Sequence, residues 1–118
     1  VEKIILTTDD GTLGIKGNVI NGLNQTLDDL ITNSDKYKIF VCGPPMMMES
    51  VKTLCNKNNI LCDVALETVM ACGFGICQGC TVEFNNQKIE DHSYRSKYGL
   101  VCCDGPIFNS KDIKTCLL

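Results

Sequence analysis

"ACGFGICQGC", residues 71–80, gathers Cys72, Cys77 and Cys80 in one short stretch and sets Gly73, Gly75 and Gly79 among them. Nine cysteines in 118 residues make thiols the outstanding feature of the composition. An odd count cannot be fully paired within one chain, and the spacings are uneven. The opening VEKIILTTDD is charged from its second residue and has no secretory signal pattern. A disulfide scaffold is therefore not expected, and metal or redox chemistry is the better reading. Cys55, Cys62 and Cys116 stand apart from the stretch and read individually as small apolar residues.

The spacing is Cys72-x4-Cys77-x2-Cys80, with Cys102 and Cys103 downstream as candidates for a fourth position. C-x4-C-x2-C…C is the plant-type pattern of a [2Fe–2S] cluster. Three thiolates from one tight loop must converge on two irons, so the backbone has to fold round the group without side chains blocking it. Gly73, Gly75 and Gly79 permit the dihedrals this needs and let amide N–H groups face sulfur. Zinc is one rival, but zinc ribbons prefer paired CxxC-type knuckles and only Cys77 and Cys80 form one. A thioredoxin-like CxxC is another. It requires a helix start after a strand and leaves Cys72 unexplained. The plainest alternative is a set of unligated thiols in a glycine loop.

Working outward, the first half alternates β and α. KIILTT (3–8) is a β-branched apolar run stopped by the turn DDG. Over residues 16–34, Val19, Ile20, Leu23, Leu27, Leu30 and Ile31 recur at steps of three and four, which predicts an amphipathic helix interrupted near Gly22. KYKIFVCG (36–43) predicts a second strand, buried on both faces. PPMMMESVKTLCNKNN then reads as a helix with Pro in its first turn, Glu49 early and Lys52 and Lys57 late. ILCDVALE (60–67) supplies a third strand. This succession predicts a parallel α/β sheet with crossover helices, which the resemblance given below implies to be a partial, Rossmann-like one.

The texture changes near Glu67–Met70, where an internal boundary is expected: an α/β unit over 1–67, then a small loop-rich [2Fe–2S] lobe over 68–118. TVEF and KIED flank NNQ as a short hairpin. DHSYRSKYG reads as a polar loop with His92 solvated, and LVCCDGPIF and SKDIKTCLL as short extended pieces. The net charge of −3 and pI near 5.0 argue against a nucleic-acid partner. No run approaches the roughly 20 apolar residues of a membrane helix. A cytoplasmic protein is expected.

These residues resemble a known family. ETVMACGFGICQGC with the later VCCDGPIF looks like the cluster lobe of the electron-transfer subunit of dihydroorotate dehydrogenase B, among the ferredoxin-reductase-like flavoproteins. That family has the form M-x-C-G-x-G-x-C-x-x-C, then V-C-x-D-G-P-x-F. Met70, Cys72, Gly73, Gly75, Cys77 and Cys80 match the first part; Val101, Cys102, Asp104, Gly105, Pro106 and Phe108 match the second. The resemblance selects Cys102 as fourth ligand and leaves Cys103 at a variable position. VCGPPMMMESV resembles the family's C-G-P-x-x-M-M segment, which makes Cys42, Gly43 and Pro44 nicotinamide-side candidates with Met47 and Met48 behind them. TTDDGTLGIKG resembles the segment after an earlier strand, where Asp9 or Asp10 would bond a ribose hydroxyl.

The resemblance implies the C-terminal portion of such a subunit, without the flavin-binding barrel or a glycine-rich pyrophosphate turn. It implies part of an NAD-linked oxidoreductase, not competent alone. Electrons would pass between dihydroorotate and NAD⁺ through the FMN-containing catalytic subunit, a [2Fe–2S] cluster and FAD, in pyrimidine biosynthesis. The alternatives are a subunit of an NADH-dependent ferredoxin:NADP⁺ reductase or sulfide dehydrogenase, a hydrogenase diaphorase, a zinc-stabilised non-enzymatic module, and a stand-alone ferredoxin-like carrier. Cys72 favours the first family, since the bifurcating reductase has Asp there; GPPMMM leans toward the rival.

Overall fold

A computed structural model describes residues 3–85 and 93–118. The KIED half of the expected hairpin and His92 lie outside the described residues.

The first regular structure is slight. Thr7–Thr8 (β1) pairs in parallel with Ile15–Lys16 (β2), and the run before it is not a strand. The six-residue strand expected over 3–8 is thus corrected to its last two residues, and Ile4 is 74% exposed. The cause is local. Gly11, Gly14 and Gly17 all have positive φ and wrap the chain back, so that the Ile15 amide donates to the Leu6 carbonyl at 2.8 Å. A Cβ on Gly14 would collide with that same carbonyl.

The amphipathic segment forms two short helices, Val19–Asn24 (α1) and Leu27–Thr32 (α2). Asn18 caps the first through its side chain, which accepts the Ile20 amide at 3.0 Å. The break lies at Gln25–Thr26 rather than at Gly22. Gly22 is buried inside α1, where a Cβ would stand 3.0 Å from Thr7, so glycine here allows a close approach.

Lys38–Cys42 (β3), Pro45–Lys57 (α3) and Leu61–Ala65 (β4) form the β-α-β unit, with β3 and β4 parallel from Lys38↔Leu61 to Cys42↔Ala65. Pro45 opens the helix, where an N–H would have had no partner. One face of α3 buries Met48, Val51 and Cys55. Cys62, Val64 and Leu66 alternate inward from β4. β3 is not buried on both faces as expected: Phe40 points outward, 69% exposed, beneath the Lys38 ammonium.

Beyond Glu67 come Thr81–Glu83 (β5), Tyr94–Lys97 (α4), Tyr98–Leu100 (β6), the single helical turn Val101–Asp104 (α5) and Ile107–Asn109 (β7). DHSYRSKYG is therefore not all loop, since Ser93 caps α4 and Gly99 lies in β6. Of the two closing pieces expected to be extended, LVCCDGPIF is strand at Leu100, Ile107 and Phe108 and helical over Val101–Asp104, and SKDIKTCLL has only the isolated bridge of Ile113 to Phe84. β5 and β6 are antiparallel, with Thr81 opposite Leu100. β7 returns to β4 antiparallel, giving the order β3-β4-β7. The fold is thus mixed α/β with small parallel and antiparallel sheets, and β1 stands outside the sheet of β3 and β4.

One hydrophobic core spans the chain on both sides of Glu67. Val41, Met48, Val51 and Val64 pack in the same cluster as Val82, Leu100, Val101, Phe108 and Ile113. Full burial of a side chain such as Ile60 or Ile113 is worth about 1.5–3 kcal/mol. The C-terminal segment is pinned to α3, because Glu49 accepts the Cys116 amide at 2.6 Å while Lys52 donates to the Lys114 carbonyl at 2.7 Å. Among the described residues, no helix is long and apolar enough to cross a membrane.

Candidate metal centre

The loop over 71–80 has no regular structure, and its turns are made at three positive-φ residues, Gly73, Gly75 and Gln78. The turns aim amides at sulfur. The Cys77 amide donates to Cys72 Sγ at 3.4 Å, and the Gly79 amide to Cys77 Sγ at 3.5 Å. The Cys77 amide first, then the Phe74 amide, the Cys77 thiol and the Ile76 amide pull the Cys72 thiol down to about 6, against a small opposing effect of burial. A thiolate is thus favoured there before any metal is considered. The loop closes where Thr81 Oγ1 donates to the Gln78 carbonyl at 2.6 Å.

Cys80 lies buried at the start of β5, and its carbonyl accepts the Val101 amide at 2.9 Å. That ladder contact sets α5, with Cys102 and Cys103, beside the loop. Cys102 is half-buried against the core, whereas Cys103 is exposed, and their sulfurs lie 3.5 Å apart. Cys103 also faces the loop: a Cβ on Gly75 would stand 3.0 Å from its sulfur. Asp104 secures the turn by accepting the Leu100 amide at 2.7 Å, and it pairs with Arg95 at 3.1 Å.

The donor set fits an iron–sulfur group. Sulfurs with amides directed at them suit an anionic cluster, whose charge such N–H groups stabilise. Among the described residues, no three His, Cys, Asp or Glu side chains converge as they would around a single ion. A mononuclear zinc site needs four ligands around one point, at about 2.3 Å for thiolates. A binuclear cluster gathers four thiolates about one group but puts only two on each iron.

The nicotinamide-side candidates lie where β3 leads into α3. Cys42 is exposed at the end of β3, Gly43 has φ +150°, and Pro44 precedes α3. A shallow hollow of about 110 Å³ lies there, bordered by Phe40, Cys42, Asp63, Ala65 and Ile107. Of the three consecutive methionines at the start of α3, Met48 is fully buried, Met47 packs on the core and Met46 is exposed. Asp9 is exposed. Asp10 is engaged locally, accepting the Thr12 amide at 3.0 Å and the Thr12 hydroxyl at 2.8 Å, which hold its carboxyl below the ordinary value. Glu67 is exposed.

Cys55, Cys62 and Cys116 are all buried. The hydrogen bond with Cys55, then burial, push the Cys62 thiol up, and burial followed by the Glu49 carboxylate pushes Cys116 up to about 12. These two remain protonated thiols at neutral pH. Sequence reasoning missed the roles of Arg95, Asp104 and Glu49. The D-G-P segment flagged Asp104 without saying what it holds, and nothing local in the sequence links Glu49 to Cys116.

The comparisons agree with this chemistry. Residues 67–114 match the model of the iron–sulfur cluster binding domain of dihydroorotate dehydrogenase B. The chain is 32% identical over 111 residues to the electron transfer subunit of dihydroorotate dehydrogenase B (NAD(+)) of Caldanaerobacter subterraneus, covering 94% of this chain and 40% of that protein. It is 34% identical over 108 residues to the subunit of the same name in Desulforamulus reducens, covering 92% of this chain and 37% of that protein. It is 33% identical over 116 residues to the probable such subunit of Methanocaldococcus jannaschii, covering 97% and 38%. A solved chain from an NADH-dependent reduced ferredoxin–NADP oxidoreductase shares the fold, with TM-score 0.65 and 24% identity, over 94% of this chain and 35% of that one. The chain spans about two fifths of the length of these curated relatives.

The fold is mixed α/β, and its cysteine-rich loop lies within the stretch that matches an iron–sulfur cluster binding domain. Residues 67–114 are similar to that iron–sulfur cluster binding domain, and over most of its length the chain aligns with the C-terminal part of the electron transfer subunits.

Proposed function

We propose that Cys72, Cys77, Cys80 and Cys102 hold a [2Fe–2S] cluster through which the complete protein transfers electrons between a nicotinamide–flavin centre and a catalytic dihydroorotate dehydrogenase subunit. The carrying observation is the pair of amides donated to sulfur, Cys77 to Cys72 and Gly79 to Cys77, in a glycine-turned loop beside α5. When bound, such a cluster accepts and releases electrons singly. The chain's part is to hold and tune it. Directed amides stabilise negative charge at the sulfurs, and Asp104 fixes the turn bearing Cys102 by bonding the Leu100 amide. Phe74 and Ile76, 66% and 74% exposed, flank the cysteines with apolar surface of the kind a redox partner covers.

In this reading residues 1–67 are the second half of a ferredoxin-reductase-like nicotinamide domain, and 68–118 the cluster lobe. Cys42, Gly43 and Pro44 would receive the nicotinamide ring beside the hollow at the ends of β3 and β4, with Asp9 at the ribose. FAD belongs to the longer protein, and the partner is the FMN-bearing catalytic subunit that oxidises dihydroorotate in the cytoplasm. The relation in fold to the ferredoxin–NADP oxidoreductase keeps a second assignment, a subunit of that type of reductase. The test is electron paramagnetic resonance of the dithionite-reduced chain prepared without oxygen. A rhombic S = 1/2 signal that disappears in Cys77→Ser is expected, whereas silence in iron-loaded wild type would refute the assignment.

A further inference from the structure

Two adjacent cysteines meet the loop where one fourth ligand is needed. Cys102 and Cys103 lie in a one-turn helix, their sulfurs 3.5 Å apart. Cys102 packs toward the core, while the Cys103 sulfur is the nearest atom to the place a Cβ on Gly75 would take, at 3.0 Å. Gly75 lies midway between Cys72 and Cys77, so Cys103 already faces the segment that presents the other thiols. The turn itself is held on both sides of the pair, by buried Val101 and by the Asp104 carboxylate on the Leu100 amide. The structure thus directs the Cys103 sulfur toward the loop, from the same held turn that carries Cys102.

Resting on the cluster reading above, we propose that Cys103 is an alternative fourth thiolate, able to replace Cys102 on the same iron. In the exchange the bond from iron to the Cys102 sulfur breaks and one to the Cys103 sulfur forms. Cys102 takes up the proton that Cys103 releases. One thiolate replaces another, so no electron is gained or lost and the charge at the iron is unchanged. Loss of either cysteine then leaves a complete ligand set, and only loss of both removes it.

The test uses the full chain as wild type, Cys102→Ala, Cys103→Ala and the double variant, each loaded anaerobically with ferrous iron and sulfide. Iron and sulfide per chain and the reduced-state resonance spectrum are measured, with circular dichroism as a check on folding. Both single variants are expected to keep wild-type iron and sulfide, with shifted g values in Cys102→Ala. The double variant is expected to lose at least tenfold. If Cys102→Ala unfolds the turn, Cys102→Val fills the half-buried site without a ligating atom and repeats the measurement. Iron lost as fully from folded Cys102→Ala or Cys102→Val as from the double variant would overturn the proposal, as would retention by the double variant. Failure of wild type to take up iron and sulfide would overturn the cluster assignment itself.

Discussion

The Asp104 carboxylate accepts the Leu100 amide at 2.7 Å and so closes, from its C-terminal end, the turn in which Cys102 and Cys103 stand. A charged acceptor on a backbone amide contributes about 1.5–3 kcal/mol. The Arg95 pair on the other oxygen is largely solvated, 57% and 33% exposed, and such pairs contribute about 0–1 kcal/mol. Asp104→Ala is thus expected to destabilise the chain by about 1.5–3 kcal/mol and Arg95→Ala by under about 1 kcal/mol. Urea unfolding of the two variants measures both, and equal effects would show that the ion pair, not the amide bond, secures the turn.

Glu49 pins the C-terminal segment to α3. Burial pushes its carboxyl up, but the Cys116 amide, then Lys52 and the Thr115 hydroxyl, hold it below the ordinary carboxylate value. A depressed folded value means the contribution is fully present above the unfolded value of about 4.3 and is lost as pH falls through the lower folded one. Melting curves taken from neutral pH down to about pH 3 should therefore drop more steeply for wild type than for Glu49→Gln. At neutral pH the variant is expected to be less stable by about 1–3 kcal/mol.

The loop glycines are not equivalent. Gly75 has φ +87° and its Cβ position lies 3.0 Å from Cys103 sulfur, whereas Gly79 has no positive φ and would place a Cβ at an ordinary 3.6 Å from Cys77 sulfur. Gly75→Ala is expected to lose about 1 kcal/mol or more of stability and to load iron poorly, while Gly79→Ala loads normally. Parallel iron assays on the two variants decide it, and equal loading would show that loop conformation does not limit the site.

Phe108 on β7 packs in the core shared across Glu67, 7% exposed. Phe108→Ala should cost about 3–5 kcal/mol. The whole chain should unfold in one transition at lower denaturant. A separate early transition confined to one part would contradict a single shared core.

How far the sequence could be read depended on whether each signal was local. The unit β3-α3-β4 was legible because Pro45, the apolar face of α3 and the alternation of Cys62, Val64 and Leu66 each act within a few residues. The strand over 3–8 was not, because an apolar run does not name its partner, and Gly14 turns the chain back onto Leu6. Gly22 was misread for the same reason, since its close contact with Thr7 is tertiary. The antiparallel return of β7 to β4 was likewise invisible. At the site, the spacing of Cys72, Cys77 and Cys80 and the glycines between them lead to the [2Fe–2S] reading from the sequence itself. The choice between Cys102 and Cys103 depended on resemblance alone, because the two are adjacent in one helical turn with sulfurs 3.5 Å apart.

Native mass spectrometry of the chain, loaded and purified without oxygen, addresses the cluster most directly. A mass increase matching two irons and two sulfides, absent from Cys77→Ala, is the expected result. An increase matching one zinc, with no sulfide, would contradict an iron–sulfur electron carrier.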